Sequence, residues 1–297
     1  MKILILSFTL CFFLTLDAKD FNSALKQIKQ ISSSAEKIQA FNFFYKKTLS
    51  PYIKGIDKEK IDAKNLTKIL SDIELVAFYT KNRRVVNDYL ALFNVLKTKK
   101  LAKSSHYQTA YNLLIMCRML DEAQMFYQKY KKFELLPLPK IKKLKSNTGV
   151  FFYSIDTEQE NTFIQESFVL SNKTQIIVVA HPNCHFCQRA ANEIEKNKNL
   201  LSFFLNNSLW ITPVDSTFEY DILFKWNNLY PSMELHYTHH EDDFPMLELR
   251  STPIFYFLKN KKVIDKITGW PKEGRLEMLN SKIKKYFQKD LSEQSSR

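Results

Sequence analysis

Apolar residues recur at helical spacing from residue 23 to residue 132, a stretch whose only proline and glycine are Pro51 and Gly55. Within it, "HYQTAYNLLIMCRMLDEAQMFYQKYKKF" sets Tyr107, Tyr111, Leu114, Ala123, Tyr127 and Tyr130 on helix faces. The pattern predicts two helices joined near residues 119–121. The segment "ELLPLPKIKKLKSNTG" then breaks the periodicity with Pro137, Pro139, a basic run and Gly149. Prolines stop helices and stiffen the chain, so this segment is the expected domain boundary. The organisation expected is a helical domain over 20–136, a linker over 137–148, a second domain over 149–290 and a tail over 291–297.

Beyond the boundary the period changes. "VFFYSI" predicts a strand and "NTFIQESFVL" a helix, while "TQIIVVA" has the β-branched character of a strand buried on both faces. A helix is expected from Cys184 to about residue 206, followed by a strand at "SLWITPVD". "TFEYDILFKWNNL" reads as a helix with Phe218, Ile222, Trp226 and Leu229 on one face. "TPIFYFLKNKKVIDKITGW" reads as a hairpin turning at Asn260 and Lys261. The last helix is expected to begin at Pro271 and to align Leu276, Leu279, Ile283 and Phe287. The predicted order is β-α-β-α-β-α-β-β-α.

The chain has 297 residues, 45% of them hydrophobic, enough for two ordinary domains with cores of their own. Its net charge of +13 raises nucleic acid as a partner. The lysines are scattered through the helices and no nucleic-acid module is present, so no nucleic-acid partner is expected. The densest basic patch, "KIKKLKS" at 140–146, is explained by a solvated linker. The opening "MKILILSFTLCFFLTLDAKD" places one lysine before an apolar run over 3–16 and a small residue, Ala18, at a cleavage position. This matches a secretory signal peptide over 1–18. The run is shorter than the ~20 residues that span a bilayer, and no transmembrane segment is expected.

Without the signal, three cysteines remain: Cys117, Cys184 and Cys187. Three is too few for a disulfide scaffold. Cys117 lies in the apolar helical pattern "YNLLIMCRML" and is expected to be a small, inert core residue. Cys184 and Cys187 stand two residues apart in "HPNCHFCQRA". As half of a zinc site they need two further ligands, and no second such pair follows. As a structural staple they close a tiny loop, where a cross-link stabilises little.

The third reading is a reactive dithiol. A strand delivers the chain to a turn, and a helix starts at the first cysteine. The partial positive charge and free amides of a helix N-terminus stabilise a thiolate there. Such surroundings lower a cysteine from a pKa of about 8.5 to between roughly 3.5 and 7.5. Cys184 then attacks, and Cys187, one turn on, resolves. His185 between them is expected to favour the thiolate further, and His181 to modulate it.

Residues 148–290 resemble the thioredoxin-like superfamily in predicted element order, in the CxxC after the second strand and in "STPIFYF". The resemblance implies an α/β thioredoxin-like domain, a central mixed sheet flanked by helices, behind an all-α N-terminal domain. It also implies a cis bond at Thr252–Pro253, with Thr252 offering backbone hydrogen bonds to an extended substrate and Pro253 packed beside the dithiol. Thioredoxins proper carry tryptophan before the first cysteine and a buried aspartate near the disulfide, where this chain has Asn183 and Val178. Thr-Pro with a signal peptide is closer to exported Dsb-type oxidoreductases and TraF-like redox proteins. In the helical half, residues 107–130 resemble a single tetratricopeptide-type hairpin, with a degenerate copy over 77–96.

Pro253 follows Cys187 by 66 positions, more than one helix, strand, helix and short loops need. The surplus falls in "YPSMELHYTHHEDDFPMLELRS", expected to be a polar loop without a metal, although His236, His239 and His240 lie beside Glu241, Asp242 and Asp243. The function expected is a thiol–disulfide oxidoreductase of the periplasm. It would act on cysteines of other exported proteins and exchange electrons with a redox partner protein. The sulfurs carry the electrons, so no dissociable cofactor is expected. The helical domain is expected to bind a protein partner or set the oligomeric state. Two rival readings are an assembly adaptor that uses the helical domain, and a metallochaperone built on Cys184, Cys187 and a histidine.

Overall fold

The computed structural model describes residues 21–143 and 149–294. The signal-peptide segment and Cys11 lie outside the described residues, as does part of the expected linker. The chain divides into two compact units between Pro137 and Leu138. Among the described residues, no helix is long and apolar enough to cross a membrane.

The first unit is all helical: α1 (Phe21–Lys29), α2 (Ser34–Phe44), α3 (Ser50–Gly55), α4 (Ala63–Thr80), α5 (Arg83–Thr98), α6 (Ser104–Met116) and α7 (Leu120–Tyr130). Polar caps set the starts. Asp62 Oδ1 accepts from the Asn65 N–H at 2.9 Å and Asn82 Oδ1 from the Arg84 N–H at 2.9 Å, each satisfying an orphan donor of a first turn. Left-handed residues set two stops, Lys81 after α4 (φ 49°) and Arg118 after α6 (φ 49°). Two successive helical hairpins result, α4/α5 and α6/α7. The second turns at residues 117–119, two residues before the joint expected at 119–121, and Tyr107, Tyr111, Leu114 and Ala123 are buried between its helices and their neighbours. Cys117 is buried, 1% exposed.

The second unit is built on an eight-stranded sheet in the order β1-β3-β2-β6-β5-β4-β7-β8. Its strands and helices are β1 (Lys140–Lys143), β2 (Val150–Ile155), β3 (Thr162–Phe168), β4 (Gln175–Val179), α8 (His185–Glu195), α9 (Lys198–Asn207), β5 (Ser208–Ile211), α10 (Tyr220–Leu229), β6 (Leu235–Thr238), β7 (Ile254–Lys259), β8 (Lys262–Thr268) and α11 (Leu276–Gln294). A mixed sheet with flanking helices follows an all-α unit, the fold class expected.

Several local readings are corrected. The single helix expected from Cys184 to about residue 206 is two helices, because Asn197 Oδ1 accepts the Leu200 N–H and starts α9 anew. Residues 162–168 form a strand where a helix was expected. β3 pairs antiparallel with β2 over the whole of β2, and a run so short fits either period until a partner decides it. The expected linker contributes β1, parallel to β3, and the last helix runs to Gln294, past the expected end at 290. That helix starts at Leu276, because Gly274 (φ 75°) closes a turn with Pro271. On α10 the buried positions are Leu223 and Trp226, with Leu229 exposed, and Phe218 packs before the helix begins.

The surplus segment is likewise no polar loop. It supplies β6, inserted between β2 and β5, and then Phe244 and Leu249. These two lie against Ile177, Val179, Leu209, Ile211 and Ile254 on one face of the sheet. The opposite face carries the helices. The crossovers β4-α8/α9-β5 and β5-α10-β6 step the same way across the sheet, so right-handed connections put their helices on one face. Phe204 of α9 and Trp226 of α10 accordingly both meet Trp210 of β5.

Candidate active site

All five residues of β4 are buried, so the strand is fixed on both faces and delivers the chain to one defined point at the sheet end. There Cys184 takes extended backbone angles (φ −87°, ψ 114°) and caps α8, whose first turn carries Cys187. The sheet register brings the second component. Val179, the last residue of β4, pairs with Ile254, the first of antiparallel β7. The residues just before Ile254 therefore emerge beside those just after Val179. The Thr252–Pro253 bond is cis, as the resemblance implied, and the Thr252 carbonyl oxygen lies 3.7 Å from Cys184 Sγ.

The two sulfurs occupy different environments. Cys184 is partly exposed and Cys187 fully buried, and both are free thiols. A hydrogen bond from the Cys187 thiol is the largest influence on Cys184 and pulls its pKa down to about 5. Partial burial opposes this, while the Thr252 side chain and the N–H groups of Cys187 and Phe186 add to it. Burial pushes the Cys187 thiol up, and its role as donor to Cys184 pushes it further. The His181 N–H, 3.4 Å from Cys187 Sγ, and the Thr252 side chain work in the opposite direction. One proton is thus shared unequally: Cys184 is the thiolate and Cys187 holds the hydrogen.

The predicted site residues fall as follows. Cys184, Cys187, Thr252 and Pro253 come together at one end of the sheet. His185 is exposed on the first turn of α8 and is not among the groups that act on Cys184; the amides of that turn are. His181 stands in the turn before Cys184, its ring Nε2 3.4 Å from Asp215 Oδ2. Asp215 was not singled out from sequence. It lies just past β5, and only the parallel pairing Val179↔Ile211 reveals that the two strand ends share one edge. Val178, where thioredoxins bury an aspartate, is fully buried beside Trp210 and Phe255 in register.

The histidine-rich segment lies elsewhere in the sheet. His239 pairs with Asp243 at 3.0 Å and His240 with Asp242 at 3.3 Å. His236 Nδ1 is 3.0 Å from Ser154 Oγ, which donates to Glu166, and burial lowers His236 to about 4. Among the described residues, no group of three histidine, cysteine or acidic side chains is arranged to hold a metal ion.

No family model matches the chain, and no curated protein matches it. Among solved structures it is similar to an uncharacterized thioredoxin-like protein from Porphyromonas gingivalis, 16% identical, with 47% of this chain and 91% of that one covered at a TM-score of 0.32. It is also similar to a thioredoxin-like protein from Bacteroides caccae, 13% identical, with 84% and 82% covered at a TM-score of 0.29. Both neighbours are named as thioredoxin-like proteins.

Proposed function

We propose that the chain is an exported thiol–disulfide oxidoreductase of the periplasm that acts on cysteines of other exported proteins. The observation that carries this reading is the geometry of the pair, a partly exposed Cys184 at the start of α8 backed by a buried Cys187, an arrangement that lowers the first thiol and raises the second. In the reducing direction, the Cys184 thiolate attacks a substrate disulfide and releases one substrate thiolate. Cys187 loses its proton and attacks Cys184 Sγ, forming the Cys184–Cys187 disulfide and releasing the second. The substrate gains two electrons and the dithiol loses two. The oxidising direction is the same sequence reversed, and a redox partner protein resets the pair. No dissociable cofactor takes part.

Thr252 and Pro253 beside the sulfurs form the ledge against which an extended substrate segment would lie. The helical unit would dock a protein partner.

The test is turnover of a disulfide substrate, by insulin reduction or refolding of scrambled ribonuclease. Activity should be lost in Cys184→Ala, while Cys187→Ala should accumulate mixed disulfides. Wild-type protein inactive in both assays would overturn the reading.

A further inference from the structure

His181 is tied to the dithiol turn at three points and to the end of β5 at a fourth. Its carbonyl oxygen accepts the Cys184 N–H at 2.9 Å. Its own N–H points at Cys187 Sγ, 3.4 Å away. Ring Nδ1 accepts the Asn183 N–H at 3.1 Å. With Nδ1 acting as acceptor, Nε2 is the ring's donor, and it faces Asp215 Oδ2 at 3.4 Å. Asp215 is anchored in turn, since its other oxygen accepts the Thr217 N–H at 2.8 Å. The ring therefore links the turn before Cys184 to the end of β5, on the strand next to β4.

We propose that the His181–Asp215 pair is a positioning device for the dithiol turn. It holds the His181 N–H on Cys187 Sγ and so sets the rate at which Cys187 resolves a mixed disulfide on Cys184. The proposal rests on the oxidoreductase reading and names a pair of residues that act through others. Pro182, between the anchor and the sulfurs, has no N–H to fix the turn itself. Gln188 Nε2 on its carbonyl oxygen at 2.7 Å is a separate tie, made from the helix side.

The chemistry locates the effect. Cys184 attacks with donors from Cys187, Thr252 and the first turn of α8, none of which depends on the His181 ring. Cys187 attacks second, from a buried position where a thiolate is costly. Once Cys184 is bonded to the substrate sulfur it is no longer an anion, and the donors aimed at Cys187 are the His181 N–H and Thr252. Loosening the turn should weaken the second step and spare the first.

An aryl disulfide such as dithionitrobenzoate separates the two steps. The Cys184 thiolate breaks its S–S bond, forms the mixed disulfide and releases one coloured arylthiolate. Cys187 then gives up its proton to buffer, forms the intramolecular disulfide and releases the second. In full-length His181→Ala and in Asp215→Ala, the second release should slow about tenfold, the effect of one lost hydrogen bond of ordinary strength, while the first stays within about twofold. The double variant should be no slower than the slower single, because the pair acts as a unit. His181→Asn, whose side-chain oxygen can still accept the Asn183 N–H, should recover part of the rate. If the alanine variants do not fold, Asp215→Asn, which keeps the volume and loses the charge, should show the same selective slowing. Folded variants with an unchanged second phase, or with both phases slowed together, would overturn the proposal. Wild-type protein that releases no second arylthiolate would instead remove the oxidoreductase reading, and this proposal with it.

Discussion

Thr252 and Cys184 are 68 residues apart in sequence, yet the Thr252 carbonyl oxygen lies 3.7 Å from Cys184 Sγ. The contact follows from one register, Val179 opposite Ile254, which carries two chain segments off the same end of the sheet. As a thiol, Cys184 donates to that oxygen. As a thiolate, it is stabilised by the Thr252 side chain. One residue thus serves both protonation states of the nucleophile.

The first prediction concerns the nucleophile itself. Only the thiolate alkylates, so the rate of iodoacetamide reaction at Cys184 should rise through a midpoint near pH 5 and level off above it. The Cys187 thiol is the largest cause of the lowering, so Cys187→Ala should move the midpoint upward, towards ordinary cysteine. A wild-type midpoint near pH 8.5, the value of a free thiol, would remove the basis of the site.

Thr252→Val keeps the shape of the side chain and deletes its hydroxyl. Because the Thr252 side chain lowers both sulfurs, the variant should raise the Cys184 midpoint and slow both steps of aryl disulfide exchange. This contrasts with the selective slowing expected at His181. The carbonyl contact and Pro253 are untouched, so thermal stability should change by no more than about 1 kcal/mol. Stopped-flow exchange on the folded variant checks it.

The lowered Cys184 thiol also bears on redox balance. Its folded value, about 5, lies below its ordinary value of 9.0, so the stabilisation it gives is complete above pH 9 and is lost as pH falls towards 5. Only the reduced protein has this thiolate. The melting temperature of the reduced form relative to the disulfide form should therefore rise between pH 5 and pH 9. At pH 7 the same preference should make the couple more oxidising than about −270 mV, the value for thioredoxin. Equilibration against glutathione measures it. A lower potential would mean that strain or solvation outweighs the thiolate.

Much of this site was legible in the sequence because its parts are local. A buried β-branched run, a turn, two cysteines one helical turn apart and a Thr-Pro before a strand each declare themselves within a few residues. The Asn260–Lys261 turn did too, and both residues have positive φ (51° and 62°), as a two-residue hairpin requires. What was misread depends on partners far along the chain. Residues 162–168 became a strand through pairing with β2, and 235–238 through pairing with Tyr153 and Trp210 as neighbours on either side. Asp215 was missed for the same reason, since nothing around it in sequence points to His181. The role expected of His185 at the thiolate rested on proximity in sequence, whereas the donors on Cys184 are the Cys187 thiol, the Thr252 side chain and the amides of the first turn of α8.

The last prediction tests the inserted strand. His236 on β6 is packed against the Phe152 ring at 4.6 Å and bonded to Ser154, and burial holds it neutral by lowering it from 6.5 to about 4. An unfolded histidine takes up a proton as pH falls through about 6.5, while the folded one does not until about 4. Between those values the unfolded state binds more protons, so stability falls as the solution is acidified and levels off below pH 4. The loss should be on the order of 2–4 kcal/mol, read from urea midpoints at pH 7 and pH 4.5. His236→Asn keeps a hydrogen bond to Ser154 and removes the titrating ring, so its midpoint should change less over the same interval. Equal acid sensitivity in variant and wild type would place the titrating group elsewhere.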